Sequence, residues 1–518
     1  MTRRFAFYLL LLIVTLSSGS YAGLDVDRYG KLGEAERFDF DRAEEQLKAQ
    51  RWVAAKNEFS KFIKLYPKSV AAPYAQLMIG YCEEQGRYVN EAMKTYQQVR
   101  DYFPDSPEAP LALSWIARCH DANGDPEKAM PFWSQVIKEY PDHLVCIDAL
   151  WRLVQYHVEK KMASSAADEA NKIIDKYPPF HQGEQYGNWW RAGEWLVRYY
   201  ALDEDNPEAA IAAYVKFRSK YLQQHDRWDE AGAKKQAFQE AQGFVARVYR
   251  DAANWHRSQQ HAPEAKKYYD RAMKLYEQMG AVVEQAWFNR EFGRHQDAVD
   301  ALILYLAKNE KDDGTRVNFG HYLEELQKWE DARGQYAKMN DQNYGLCETA
   351  ESYWRQRKGK ECVEAFKLLA EKDMGRYAYA LYRIGDAYLY LLGDPAKALN
   401  AYKESFYGET QYLFQIAECY RQLKKYDQAL NQLKEIASFF QNAAPQAYWR
   451  MVPIFHERNE ARDMDRCIAV CRRICNTYKT SGESSAAHQH LEDAHKVSVT
   501  GGGEKGTTDE EELLKFGP

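Results

Sequence analysis

Four prolines, Pro67, Pro104, Pro141 and Pro178, stand 37 residues apart, and no other feature of the 518-residue chain limits its fold so sharply. Each follows an aromatic residue (Tyr66, Phe103, Tyr140, Tyr177), and an alanine precedes each by twelve residues (Ala55, Ala92, Ala129, Ala166). Four residues after those alanines come Phe59, Tyr96, Trp133 and Ala170, and seven after come Phe62, Val99, Val136 and Ile173. Positions i, i+4 and i+7 mark one face of a helix. A second helical stretch upstream carries a small residue at Ala43, Gly80 and Ala117. The small residues admit a close neighbour, and each proline stops the second helix before the next unit begins. A fixed period of this length is the signature of stacked repeats. With only 29 Gly and 16 Pro to make turns, the expectation is an all-α solenoid of helix–turn–helix units.

The pattern resembles the tetratricopeptide repeat: a small residue in the first helix, then alanine, an aromatic, a small or aliphatic residue and proline in the second. The resemblance implies a right-handed superhelix of helix pairs. Further anchors continue it with irregular spacing: Ala210/Tyr214, Ala265/Tyr269, Ala298/Leu302, Ala332/Tyr336, Cys362/Phe366, Ala398/Tyr402, Ala429/Leu433 and Cys467/Cys471. About a dozen units cover residues 39–480. The opening units (Tyr66-Pro67-Lys68-Ser69 and Phe103 to Pro110) resemble the envelope repeat proteins of Gram-negative bacteria, the Tol-Pal partner and the outer-membrane assembly lipoprotein among them. The chain departs from these in lacking a lipid-attachment cysteine and in carrying about twice as many repeats.

Residues 1–22 read as a secretory signal: Arg3 and Arg4, an apolar run from Phe5 to Leu16, and a small, polar end at Ser17 to Ala22, with cleavage expected before Gly23. The apolar run is too short to span a bilayer, which takes about 20 residues. The expected organisation is therefore a signal (1–22), an N-terminal segment (23–38), four regular repeats (39–179), an irregular linker with extended helices (180–260), further repeats with a capping helix (261–497) and a disordered tail (498–518). Pro179, Gly183 and Gly187 break the rhythm and place a boundary between two sub-arrays near 180–188. The product is expected to be exported, soluble and periplasmic or extracellular.

No G-x-S-x-G, H-E-x-x-H or C-x-x-C occurs, and the G-x-G-x-x-G at Gly501 to Gly506 lies in the tail with neither a strand expected before it nor a helix after it, so we expect no catalytic residue and no cofactor. Seventy basic and 76 acidic side chains, interspersed to a net charge of −6, offer no footprint for a nucleic-acid backbone. Most of the nine cysteines fall where the repeat wants a small residue, and free cysteine packs as a small hydrophobe. Cys467, Cys471 and Cys475 share a helical face, with His488, His490 and His495 following. Cys467 and Cys471, with His488 and His490, compose the one arrangement able to hold zinc, and we read these cysteines as core packing, with no metal.

In tetratricopeptide arrays the first helices line a concave groove. By position the resemblance implies Tyr74, Tyr81, Arg118, Trp151 and Gln155 as the residues that grip a protein or peptide partner. Only Arg118 fits the family's carboxylate clamp, so that mode is not expected. The sequence thus reads as a non-catalytic exported scaffold for protein–protein interaction in the cell envelope. Two rivals stand beside it: a glycan- or cell-wall-binding repeat protein using Trp189, Trp190 and Trp195, and an enzyme or metal protein using the Cys467–His495 cluster.

Overall fold

The computed structural model describes residues 24–179, 184–226 and 228–497. The signal at 1–22, Gly183 and the tail from 498 onward lie outside the described residues. Within them every regular element is a helix, and the chain divides into two compact units, Met1–Ala298 and Val299–Pro518.

In the first unit the second helices of the regular pairs, Trp52–Leu65, Val89–Tyr102, Pro126–Glu139 and Ala163–Lys176, repeat the 37-residue period residue for residue. Their ends follow from the prolines. A residue before proline is driven out of the α region, and Tyr66, Phe103 and Tyr140 take φ/ψ of −128/59°, −133/53° and −125/51°. The turn inside each pair obeys the same period. Gln50, Arg87, Gly124 and Lys161 all adopt positive φ, between 56° and 77°. Each is followed by a backbone N–H that returns to a carbonyl five residues back, as Arg51 does to Gln46 and Tyr88 to Glu83. This left-handed ending satisfies carbonyls that a helix terminus would otherwise leave unpaired.

The anchors read from the sequence form the core. Ala55, Phe59, Phe62, Ala92, Tyr96, Val99, Ala129, Val136, Ala166, Ala170 and Ile173 are all fully buried. Two apolar clusters run through this unit, from Leu32 to Cys119 and from Leu113 to Phe288. The Glu184–Arg198 helix, which includes part of the boundary expected near 180–188, packs on the Val145–Glu159 and Ala163–Lys176 helices within the second of these clusters. Of the extended helices expected within 180–260, the longest is Glu230–Ser258, 29 residues long.

The second unit repeats the helix pairing, among its pairs Asp313–Glu325 with Trp329–Tyr336, Gln342–Arg355 with Gly359–Lys372, and Ala444–Arg458 with Asp463–Thr477. Two of its turns and one of the first unit's are π-helical: Ala387–Leu391, Leu491–His495 and Tyr199–Asp203.

The closest approach within a pair is that of the small residue to the aromatic sixteen positions later. A Cβ added to Gly80 would collide with the ring of Tyr96, and one added to Gly320 with the ring of Tyr336. Both rings are fully buried and have nowhere to turn. Gly80→Val is therefore expected to destabilise the first unit by about 2 kcal/mol, the scale of overpacking a filled core. A melting temperature equal to the parent's would show that the helices can separate freely.

Candidate functional site

The first helices carry a repeated polar arrangement, built from an acid on one pair, the aromatic anchor of that pair and an arginine from the next. Tyr96 donates its hydroxyl to Glu84 at 2.7 Å, and Arg118 stands 3.8 Å from the same carboxylate. One repeat on, the Trp133 indole N–H donates to Asp121 at 2.9 Å, and Arg152 grips Asp121 with two bonds of 2.8 and 2.9 Å. The second unit builds the same device from other residues. Tyr336 donates to Glu324 at 3.2 Å, and Arg355 binds Glu324 at 2.7 and 3.1 Å. Arg383 binds Glu351 at 2.8 and 2.7 Å and Asp386 at 2.8 Å, with its guanidinium 4.2 Å from the Trp354 ring centroid. Two-pronged pairs of this kind fix orientation as well as charge. Glu324 and Asp386 are buried, so removing the facing arginine would leave an acid uncompensated, at a cost of about 3 kcal/mol.

The structure separates the five residues expected to line a groove. Tyr74 is 4% exposed, with its hydroxyl donating to Glu44 at 2.8 Å. Tyr81 is 6% exposed and lies between the rings of Trp52 and Trp115, at 5.8 and 6.1 Å. Successive first helices touch one another here, so these two tyrosines fill the seam between repeats. Arg118 keeps 40% of its side chain exposed and lies over the Trp115 ring. Trp151 and Gln155 are half-buried, Trp151 against the larger core cluster and Gln155 accepting a bond from Arg152 at 3.2 Å. Of the five, Arg118, Trp151 and Gln155 keep part of their surface exposed.

Of the tryptophans that suggested sugar stacking, Trp189 is a core residue, while Trp190 and Trp195 are half-buried against other rings. Trp189 is fully buried, with its N–H donating to the Tyr177 carbonyl at 3.1 Å. Trp190 packs edge-on against Phe217 and Tyr221, and Trp195 stacks on Tyr199 at 5.4 Å. The face of Trp189 cannot meet a sugar ring.

All nine cysteines are buried. Burial pushes the Cys82 and Cys119 thiols up to about 12, as expected of inert packing residues. The three near the end differ from one another. Cys471 lies in the core, and Cys475 donates toward the Ser484 carbonyl at 3.5 Å. Cys467 instead faces His456, His490 and His495 at 3.7, 3.8 and 3.6 Å. Its partners are not the set that the sequence suggested. His488 is exposed and pairs with Glu492 at 3.5 Å, and His456, from 11 residues before Cys467, was not among the candidates. Burial and the neighbouring rings hold His490 and His495 below the ordinary imidazole value of 6.5.

The tetratricopeptide repeat family profile matches residues 74–106, 111–143, 379–404 and 411–443, so the chain carries tetratricopeptide repeats in both units. Solved structures similar to it include yeast Tom70, at 12% identity over 89% of this chain and 96% of that one, with a TM-score of 0.30. The Naa15/Naa10 assembly bound to HypK-THB shows 12% identity over 88% and 70%, with a TM-score of 0.34. A tetratricopeptide repeat protein from Parabacteroides merdae shows 13% identity over 59% and 92%, with a TM-score of 0.25. At such scores the superpositions add nothing to the repeat assignment, which rests on the profile match and the helix pairing. A comparison with curated protein sequences finds no match.

The ladder has a testable dependence on acid. Burial alone would raise the Glu348 carboxyl, but bonds from His321 at 2.9 Å and Arg355 at 3.3 Å hold it below its ordinary value of 4.5. The unfolded chain then binds this proton more readily than the folded one. The stabilisation is complete above pH 4.5 and is lost as pH falls through the lower folded value. Glu348→Gln should cost about 1 kcal/mol at neutral pH and flatten the fall of melting temperature below pH 4.5. An acid profile identical to the parent's would contradict the pairing.

Proposed function

We propose that the chain is a non-catalytic scaffold, exported to the cell envelope, that holds a protein or peptide partner along the first helices of its opening repeats. Tetratricopeptide repeats bind protein partners, and four segments of this chain match their profile. The observation that carries the reading is the partly exposed set Arg118, Trp151 and Gln155 on neighbouring first helices. It joins a guanidinium held over an aromatic face, a large ring and an amide, and Arg and Trp are the side chains that most often anchor partner binding. Around them the acids and arginines are already paired with each other, so the scaffold stays rigid while these three keep open surface. Export is supported by the leader read from residues 1–22, and no helix among the described residues is long and apolar enough to cross a membrane.

The test is affinity capture from an envelope extract with the chain from Gly23 onward, beside the same chain carrying Arg118→Ala, Trp151→Ala and Gln155→Ala. We expect one dominant protein whose recovery falls at least tenfold with the triple variant, the effect of losing about 1.4 kcal/mol or more at the anchors, with helical content retained by circular dichroism. Recovery unaffected by the substitutions would move the partner off this face. Protein recovered from cells should begin at Gly23 by intact mass, and a retained leader would refute export by that route.

A further inference from the structure

The end of the second unit gathers four metal-ligating atoms that the scaffold reading does not use. His456 stands on the Ala444–Arg458 helix and Cys467 on the Asp463–Thr477 helix. His490 ends the Gly482–His490 helix, and His495 ends the π turn Leu491–His495 that continues it. The thiol sulfur lies 3.6 to 3.8 Å from the Nε2 atoms of all three rings, and those of His456 and His490 are 3.1 Å apart. One ligand atom from each of the four residues lies within 4.8 Å of the other three.

The three sulfur-to-nitrogen distances are those of a tetrahedral metal site. Bonds of about 2.3 Å to sulfur and 2.0–2.1 Å to nitrogen place the sulfur about 3.6 Å from each nitrogen, and the nitrogens about 3.4 Å apart. A proton on one ring or on the thiol satisfies a single pair of these atoms as a hydrogen bond, whereas a cation between them satisfies all four at once. Imidazole and thiolate suit zinc and its transition-metal neighbours, whereas calcium and magnesium take oxygen ligands.

Two independent features of the backbone support the same conclusion. A helix that closes i to i+5, as a π turn does, aligns residues five apart, and His490 and His495 are five apart. In an α-helix the pair would diverge; here both meet Cys467. The closing elements are also poorly held by apolar burial. The Gly482–His490 helix buries only Ala487, and the π turn only Leu491, whereas the preceding helix buries Cys467, Ala469, Val470, Cys471, Ile474 and Cys475.

We propose that His456, Cys467, His490 and His495 form a structural site for one divalent transition-metal cation, zinc by ligand chemistry, that clamps the closing helix onto the last helix pair. Four protein ligands fill the tetrahedron and leave no position for substrate, so the site is structural and not catalytic. The proposal is independent of the partner-binding reading.

The test uses the untagged full chain, purified without chelator and then stripped and reloaded with zinc or cobalt. We expect about one zinc per chain by elemental mass spectrometry. The cobalt form should show the visible absorption of tetrahedral cobalt and a thiolate-to-metal band in the near ultraviolet. His490→Ala combined with His495→Ala should reduce zinc to below about a tenth of an equivalent, and Cys467→Ser should abolish the thiolate band. Cys471→Ser and His488→Ala should keep both signals. Zinc should raise the melting temperature of the parent but not of the double histidine variant. Absence of stoichiometric metal after reloading, or metal retained when His490, His495 and Cys467 are substituted, would overturn the proposal.

Discussion

The distance between the two helices of a pair is set at one point, where a small residue of the first meets a buried ring of the second. At Gly80 and Gly320 even a methyl group would strike the facing tyrosine. Ala43 with Phe59 and Ala117 with Trp133 repeat the sixteen-residue interval with both members buried. That approach fixes which side chains become core and which remain at the edge. The alanine four residues before each ring lets the two backbones close, and the aliphatic residue three after it fills the layer below. The proline then prevents the second helix from running past the end of its partner.

Why the ring is so often tyrosine or tryptophan, and seldom phenylalanine, follows from what lies beyond it. The flat body of Tyr96, Trp133 or Tyr336 crosses the core, and its polar tip emerges beside an acid on the first helix. A phenylalanine would pack as well but take one of the donors away from Glu84, Asp121 or Glu324. The same acids receive an arginine from the following pair. Each carboxylate thereby joins the inside of its own repeat to the next. This division of labour, apolar contact for cohesion and charge for register, gives tyrosine and tryptophan a use at these positions that phenylalanine lacks.

Legibility in the sequence tracked regularity of the backbone. Up to Pro178 the period was unbroken, and the anchors, turns and helix ends lie where the spacing puts them. Beyond it, π turns add residues that no periodic template contains. In the pair carrying Ala387–Leu391 the small residue Gly385 meets Tyr402 after seventeen positions instead of sixteen, and beside Tyr199–Asp203 Gly193 meets Phe217 after twenty-four. The same turn chemistry hid the histidine cluster. Reasoning with α-helical intervals favoured Cys471 and His488, whereas the useful signal was the five-residue step from His490 to His495. The groove positions carried over from the family fall on first helices, but two of the five, Tyr74 and Tyr81, are buried. Tyr74 is covered by Glu44 of the preceding pair, and Tyr81 by Trp52 and Trp115 on either side, contacts that the period does not reveal.

The left-handed residues at Gln50, Arg87, Gly124 and Lys161 recur at the same place in four successive repeats, and the helix ends recur with them. Equivalent points on the chain therefore share both position and backbone direction, so the segment between any two of them is interchangeable. A stretch of 37 codons could be lost or copied by unequal exchange between these points and the joint would close without strain. For such a gene, array length is a quantity that recombination can adjust in whole steps, leaving every remaining junction chemically unchanged.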